Sequence, residues 1–162
     1  MIITLEPLHW EAVRRIYEEG IATGHATFQL TAPEWEAWNK EHLSHSRLVA
    51  LENDEVIGWA ALTPVSGRCI YSGVAEVSIY VSGQSRGKGI GKKLLAALIK
   101  KSEENNIWTL QAGIFPENRA SLKIHEENQF RLIGKRERIG KMNGQWRDTL
   151  FLERRSRKVG IG

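Results

Sequence analysis

The chain has 162 residues, of which 41% are hydrophobic and 26% are charged, as in an ordinary globular domain. No apolar run approaches the roughly 18 residues that a membrane-spanning helix needs. We therefore expect one domain over residues 1–162, with a core of its own and no membrane partner.

The net charge of +4 raises the possibility of a basic nucleic-acid-binding domain. Much of the excess lies in two segments, 84–93 and 154–158, and no aromatic residues are interleaved there to stack on bases. We expect no nucleic-acid partner. The single cysteine, Cys69, and an N-terminus without a basic region favour a cytoplasmic location without a signal peptide. The histidine spacing suggests no metal site.

Hydrophobic patterning predicts an α/β (α+β) chain whose mixed central sheet carries helices on both faces. Turn signals at Asn53-Asp54 and Asn143-Gly144 predict two hairpins. A helix begins near residues 32–35, with Thr31 as its cap and Pro33 in its first turn. The remaining predicted elements are strands over 2–5, 47–52, 56–63, 74–81, 109–115, 130–139 and 145–152, and helices over 8–21, 89–104 and 117–128.

A basic, glycine-rich segment joins the strand over 74–81 to the helix over 89–104. Its sequence is Gln84-Ser85-Arg86-Gly87-Lys88-Gly89-Ile90-Gly91. Glycines let the backbone approach a bulky ligand, and the unpaired N–H groups of a helix N-terminus attract anions. Because Arg86, Lys88 and Lys92 add positive charge, we predict a diphosphate-binding site here.

The spacing of this segment excludes two common phosphate loops. Lys92 is followed by lysine rather than serine or threonine, unlike a P-loop, and Lys92 also stands where a Rossmann fingerprint has its third glycine. The spacing Gln84-x-x-Gly87-x-Gly89 instead resembles the [RQ]-x-x-G-x-[GA] loop of the GNAT N-acetyltransferases, which bind acetyl-CoA.

Further segments resemble the phosphinothricin acetyltransferase branch of that family, in the family's order. They are residues 16–19, 26–28, 76–95, 114–126, 139–141 and 144–148. The resemblance implies the GNAT fold, with a mostly antiparallel sheet whose two central strands splay at the cofactor site. It also implies a homodimer that transfers acetyl from acetyl-CoA to the α-amine of a small amino acid or analogue, in the class of phosphinothricin, methionine sulfoximine and methionine sulfone.

Two titratable residues are the catalytic candidates. Strand alternation places Glu76 in an otherwise apolar strand, where a carboxylate either accepts a proton or forms a structural ion pair. The resemblance implies that Glu76 is the base. His125 follows Asn118 by seven residues, where many GNAT enzymes have a tyrosine and this branch has histidine. It either relays protons or orients substrate, or it is a helix-face histidine bonded to a carbonyl.

The resemblance also implies the cofactor contacts. The pantetheine arm would lie along one strand and contact the start of the following helix, while the glycine loop holds the diphosphate. The residues implied are Ile79, Tyr80 and Val81 on the strand, Asn118 and Ser121 on the helix, and Gln84, Arg86, Gly87, Lys88, Gly89, Ile90 and Gly91 in the loop.

The substrate-binding candidates are Phe28, Arg68, Tyr71 and Ser72. Many relatives carry an arginine that holds the substrate where this chain has Ser72, and Arg68 is the nearest upstream cation. An anionic substrate needs a cationic partner, so we expect phosphinothricin to be a poor substrate. A narrow pocket walled by Phe28, Trp35 and the 64–73 loop would favour small amino acids, whereas an open groove would favour peptides.

Gln129 replaces the usual glycine before Phe130, which predicts a changed helix end. Trp35, Trp38 and Trp146 are candidates for a dimer surface. A peptide or protein N-terminus is the rival substrate, and a CoA-binding module without turnover is the rival function.

Overall fold

The computed structural model describes all of residues 1–162 and contains a seven-stranded sheet and four α-helices. Short 3₁₀ turns cover Pro7–His9, Cys69–Tyr71 and Gly83–Ser85. The elements in chain order are β1 (Ile2–Thr4), α1 (Trp10–Ala22), α2 (Trp35–Glu41), β2 (Leu48–Glu52), β3 (Glu55–Pro64), β4 (Val74–Val81), α3 (Ile90–Glu104), β5 (Thr109–Ile114), α4 (Arg119–Glu127), β6 (Arg131–Met142) and β7 (Gln145–Arg155).

The strand order is β1-β2-β3-β4-β5-β7-β6, and only the β4–β5 pair is parallel. This confirms the predicted mixed, mostly antiparallel sheet. Asn53 and Asp54 join β2 to β3 with φ of 51° and 64°, the left-handed conformation that a two-residue hairpin turn requires. Asn143 and Gly144 join β6 to β7 in the same way, with φ of 50° and 78°.

Helices pack on both faces of the sheet, as predicted, and each face has its own core. On one face the stripe of α3, including Leu94, Leu95 and Leu98, packs on the sheet. On the other face α1 packs with Trp38 and Trp59. On β4, Val77 and Ile79 face the α3 core whereas Tyr80 faces the α1 core, so alternation directs Glu76 toward the α1 side.

The ladder between β4 and β5 is short. It contains three pairs, Val74↔Thr109, Ala75↔Leu110 and Glu76↔Gln111, and the strands separate after Glu76. β4 stays paired with β3 as far as Val81. One edge of β4 is therefore held by the sheet while the other edge opens onto a gap, which confirms the predicted splay.

The start of α2 differs from the prediction. The helix begins at Trp35 after Glu34, which is extended and makes no side-chain capping bond. Thr31 is therefore not its cap, and Pro33 precedes the helix rather than lying in its first turn. A proline disfavours helical geometry in the residue before it, which is consistent with a helix that does not begin at Ala32.

The end of α4 also differs from the prediction. Gln129 has φ of 68°, the left-handed conformation that glycine usually supplies. The N–H groups of Gln129 and Phe130 donate to the carbonyls of Glu126 and His125, each at 3.0 Å. These two bonds make the ordinary glycine-type helix end, so glutamine adopts it at a conformational cost and the helix end is not changed.

None of the helices combines the length and the apolar character needed to cross a bilayer.

Candidate active site

A cavity of about 790 Å³ occupies the gap between β4 and β5. Its walls come from the segment after α1, from β4 and β5, from α4, and from the β6–β7 hairpin. The structure brings together there seven of the residues singled out from the sequence: Phe28, Glu76, Ile79, Tyr80, Asn118, Ser121 and His125.

Glu76 lies at the closed end of this gap, in the last ladder pair of β4 and β5. Its side chain forms no ion pair, and it accepts one weak hydrogen bond, from Gln111 Nε2 to Oε1 at 3.4 Å. The structural ion pair considered for Glu76 is therefore not present. The half-buried carboxylate keeps most of its acceptor capacity and faces the cavity.

His125 lies on the cavity side of α4 and is only 2% exposed. Its Nδ1 lies 2.7 Å from the carbonyl oxygen of Ser121, one helical turn earlier, and its ring packs edge-on against Phe130. Since a carbonyl only accepts, Nδ1 carries the proton in the neutral ring. Nε2 is buried without a hydrogen-bond partner.

Burial lowers the pKa of His125, although the hydrogen bond to Ser121 acts in the opposite direction. The imidazole is therefore neutral near pH 7, with a lone pair on Nε2. In this form it can accept a proton but has none on Nε2 to give. The carbonyl bond expected of a packed helix-face histidine is present, and it fixes the tautomer that leaves Nε2 available.

The segment after α1 is fastened over the cavity by residues from α4 and β7. Asn118 Nδ2 donates to the His25 carbonyl at 3.2 Å, and Arg147 Nη1 donates to the Gly24 carbonyl at 2.9 Å. The guanidinium of Arg147 also lies 4.1 Å from the ring centre of Phe115. Arg147 has no chemical signature in the sequence, and its role depends on contacts 123 residues apart along the chain.

Phe28 forms part of the cavity wall because a glycine makes room for it. A Cβ on Gly140 would lie 2.8 Å from the Phe28 ring, which also packs edge-on against Phe115 at 4.8 Å between centroids. A larger residue at position 140 would displace the Phe28 ring from this position.

Asn118 caps α4, since its Oδ1 accepts from the Ser121 N–H at 3.2 Å. Tyr80 fills the α1 side of β4, with its ring 4.8 Å from that of Tyr17 and 4.9 Å from that of Trp59. Burial raises the pKa of Tyr80, so its phenol stays protonated.

The glycine loop lies outside the cavity wall, at the start of α3. Gly87 and Gly89 have φ of 79° and 80°, and a Cβ on either would meet no atom within 4 Å, so both are needed for their conformation. Gly91 has a different role, because a Cβ there would lie 3.2 Å from Ile124 of α4. Gly89 precedes α3 without a side-chain cap, which leaves the first-turn N–H groups available to an anion.

The cations of this loop are only partly free. Arg86 and Lys88 form no ion pairs, and Arg86 Nε lies 3.4 Å from the Val81 carbonyl. Lys92 pairs with Glu127 at 3.2 Å. Gln84 lies in the turn before these residues, and Ile90 begins the helix. An uncapped helix start beside two unpaired cations fits a diphosphate.

Three of the substrate-binding candidates lie elsewhere. Arg68, Tyr71 and Ser72 are exposed in the loop between β3 and β4, outside the cavity wall, with the Arg68 guanidinium 5.8 Å from the Tyr71 ring centre. Trp35 packs against Trp10 rather than lining the cavity. The only lysine or arginine on the wall is Arg136, which the sequence analysis did not identify.

Comparison with known proteins places this geometry in one family. The model of the acetyltransferase (GNAT) family matches residues 10–130. Over 149 residues the chain is 34% identical to the Bacillus subtilis protein YwnH, whose name assigns it provisionally to the phosphinothricin acetyltransferases; 89% of this chain and 91% of that one are covered.

Two further proteins are similar. The L-methionine sulfoximine/L-methionine sulfone acetyltransferase of Pseudomonas paraeruginosa is 33% identical over 102 residues, covering 61% of this chain and 58% of that one. A GNAT superfamily phosphinothricin acetyltransferase from Sinorhizobium meliloti, solved in complex with AcCoA, superposes with a TM-score of 0.90 at 27% identity, covering 100% of this chain and 91% of that one.

The tautomer of His125 can be tested directly. Nitrogen-15 NMR of the imidazoles should show, at pH 7, two neutral rings that are protonated on Nδ1 and have pKa values below 6.5, those of His125 and His42, because burial disfavours the charged form and each Nδ1 lies 2.7 Å from a carbonyl oxygen. The variant His125→Gln should remove the signal of His125 and thereby assign it. A His125 ring that is protonated on Nε2 at pH 7 would contradict the geometry described here.

Proposed function

We propose that this chain, which belongs to the GNAT family of acetyltransferases and is an acetyl-CoA-dependent N-acetyltransferase, acetylates the α-amine of small amino acids and their analogues. The observation that carries the proposal is the cavity in the β4–β5 gap, with Glu76 and His125 on its walls. Its volume of about 790 Å³ lies within the range of small-molecule sites. The names of the relatives support the same substrate class.

The cofactor fits two parts of the structure. The open edge of β4 can pair with an extended pantetheine arm as a sheet edge pairs with a peptide, because alternate residues of β4 direct their backbone groups away from β3. The glycine loop and the start of α3 would hold the diphosphate. When bound there, acetyl-CoA supplies an acetyl thioester beside the cavity.

The side chains on the cavity wall suggest how the amine is prepared. An ammonium must lose a proton before it can attack a thioester, and Glu76 has free acceptor capacity at the closed end of the gap, directly or through a water. The neutral Nε2 of His125 is a second acceptor on the facing wall. We propose that Glu76 is the base and that His125 relays or orients, since Nε2 has no proton to donate.

The substrate class is tested by an assay of acetyl-CoA consumption with L-methionine sulfone, L-methionine sulfoximine, phosphinothricin, other free amino acids, polyamines and short peptides. We expect the free amino acids and the sulfone to have the highest kcat/KM, and phosphinothricin to be poor because Ser72 supplies no cation. A preference for peptides would favour the protein N-terminus as substrate. CoA binding without turnover of any amine would favour a binding module.

The role of Glu76 is tested by Glu76→Gln, which keeps the shape of the side chain and removes its basicity. We expect kcat to fall by about 10²–10⁴-fold, with CoA affinity unchanged. The matched control is Gln111→Met, which removes the hydrogen bond to Glu76 but no titratable group, and should have a small effect. Wild-type turnover in Glu76→Gln would return this residue to a structural role.

The diphosphate site is tested by Gly89→Val. A β-branched residue is strained at the φ of 80° found here, so the loop should rearrange and CoA affinity, measured by calorimetry, should fall by at least about tenfold. Gly67→Val is the control, because Gly67 is an open glycine without a positive φ. An unchanged CoA affinity in a folded Gly89→Val protein would show that the diphosphate binds elsewhere.

We also propose that the protein is a homodimer. Trp38 is 0% exposed and packs within the α1 core, so it is not available to a partner, whereas Trp146 is 51% exposed. Leu132, Ile133 and Ile139 of the edge strand β6 are exposed as well. Light scattering at micromolar concentration should give twice the chain mass of 18.4 kDa, and Ile133→Glu should halve it while Ile70→Glu does not. A wild-type monomer would dismiss the dimer.

A cytoplasmic location is proposed as well, because the thiol of Cys69 is exposed and unpaired. Fractionation of cells that express the protein would test it, and recovery outside the cytoplasmic fraction would contradict it.

A further inference from the structure

The cavity has one cationic side chain on its wall, Arg136 of β6. This guanidinium forms no ion pair with any carboxylate of the protein. It lies over the ring of Phe151 on the neighbouring strand β7, 4.2 Å from the ring centre. The contact holds this exposed side chain over β7, which lies between β6 and β5.

Strand register places Arg136 on the same face as Glu76. Glu76 pairs with Gln111, Gln111 pairs with Glu153, and Arg136 pairs with Thr149, which lies four residues before Glu153 on β7. An even separation along a strand keeps the same face. Both side chains therefore project into the cavity on the α1 side of the sheet.

The distance across the sheet suits a small substrate. β6 is three strand spacings from β4, and Arg136 is offset by four residues along β7 from the level of Glu76, so the two backbone positions are roughly 14 Å apart across the sheet and roughly 13 Å apart along the strands. Two long side chains reach into that space from opposite sides. The space that remains between the ends of the two side chains is of the order of one amino acid in length.

The backbone of β6 changes course just after this residue. The register between β6 and β7 shifts between Arg136 and Gly140, so residues 137–139 oppose only Asp148, which accepts the Arg138 N–H at 2.8 Å. Such a bulge redirects the side chains beside it. Arg136, just before the bulge, and Ile139, its last residue, line the cavity, whereas Arg138 lies over Trp146, outside the wall.

We infer that Arg136 binds the carboxylate of the amino-acid substrate, a role that rests on the proposed function. Ser72 and Arg68 leave the cavity without a cation from the loop before β4, and a carboxylate held in a partly desolvated cavity needs one. A guanidinium can hold both carboxylate oxygens at once. Its position opposite Glu76 would orient the amine toward the β4–β5 gap.

The test compares Arg136→Gln, Arg136→Lys and wild type on two substrates: the preferred free amino acid of the panel described above, and the α-carboxamide of the same amino acid. Arg136→Gln should lower kcat/KM for the acid by roughly tenfold to a hundredfold, mainly through KM, and leave the carboxamide unchanged. Arg136→Lys should recover part of the loss, since it keeps the charge without the two-pronged geometry.

Arg138→Gln is the matched control, because Arg138 is an exposed arginine of the same strand that also covers an aromatic ring but does not line the cavity. It should behave as wild type. CoA affinity and the melting temperature of each variant separate a lost substrate contact from a folding defect.

The contrary outcomes distinguish a failure of the Arg136 assignment from a failure of the proposed function. An unchanged kcat/KM for the acid in Arg136→Gln, or equal losses on acid and carboxamide, overturns the role of Arg136 and leaves the proposed function intact. Wild-type protein that acetylates the carboxamide as well as the acid does the same. A preference for peptides over every free amino acid overturns both.

Discussion

The site depends on the early end of one β-ladder. β4 and β5 pair at three positions and then separate, while β3 holds β4 in the sheet up to Val81. A strand that is paired on one edge and open on the other is rigid and still has unsatisfied backbone groups. This combination gives the cavity its depth, places Glu76 at its closed end, and leaves an edge along which an extended cofactor arm can pair.

The rest of the fold keeps this gap in shape from both sides. α3 and its core support one face of β4, and the aromatic core around Trp59 supports the other. Across the gap, the left-handed turn at Gln129 ends α4 and brings Phe130 back against His125, which fixes the imidazole with Nε2 buried beside the cavity. Arg147 and Asn118 fasten the segment after α1 over the opening.

Local sequence signals predicted most of the helices and strands that form this fold. Apolar periodicity and turn residues predicted the elements nearly to their ends. The loop from Gln84 to Gly91 predicts an anion site because its glycines and cations are contiguous, and calorimetry on Gly89→Val tests that prediction. What failed was decided by distant contacts or by backbone strain: the start of α2, the helix end at Gln129, and the burial of Trp38. Arg136 was missed because its relation to Glu76 comes from register across four strands and from a bulge, neither of which alters local composition.

Amide hydrogen exchange tests the central claim most directly, namely that the open edge of β4 is where the cofactor binds. Addition of CoA should slow exchange at those amides of residues 77–81 that face the gap, and leave β2, which is paired on both edges, unchanged. If calorimetry shows that CoA is bound while the amides of 77–81 exchange as fast as before, the splayed strands are not the cofactor site.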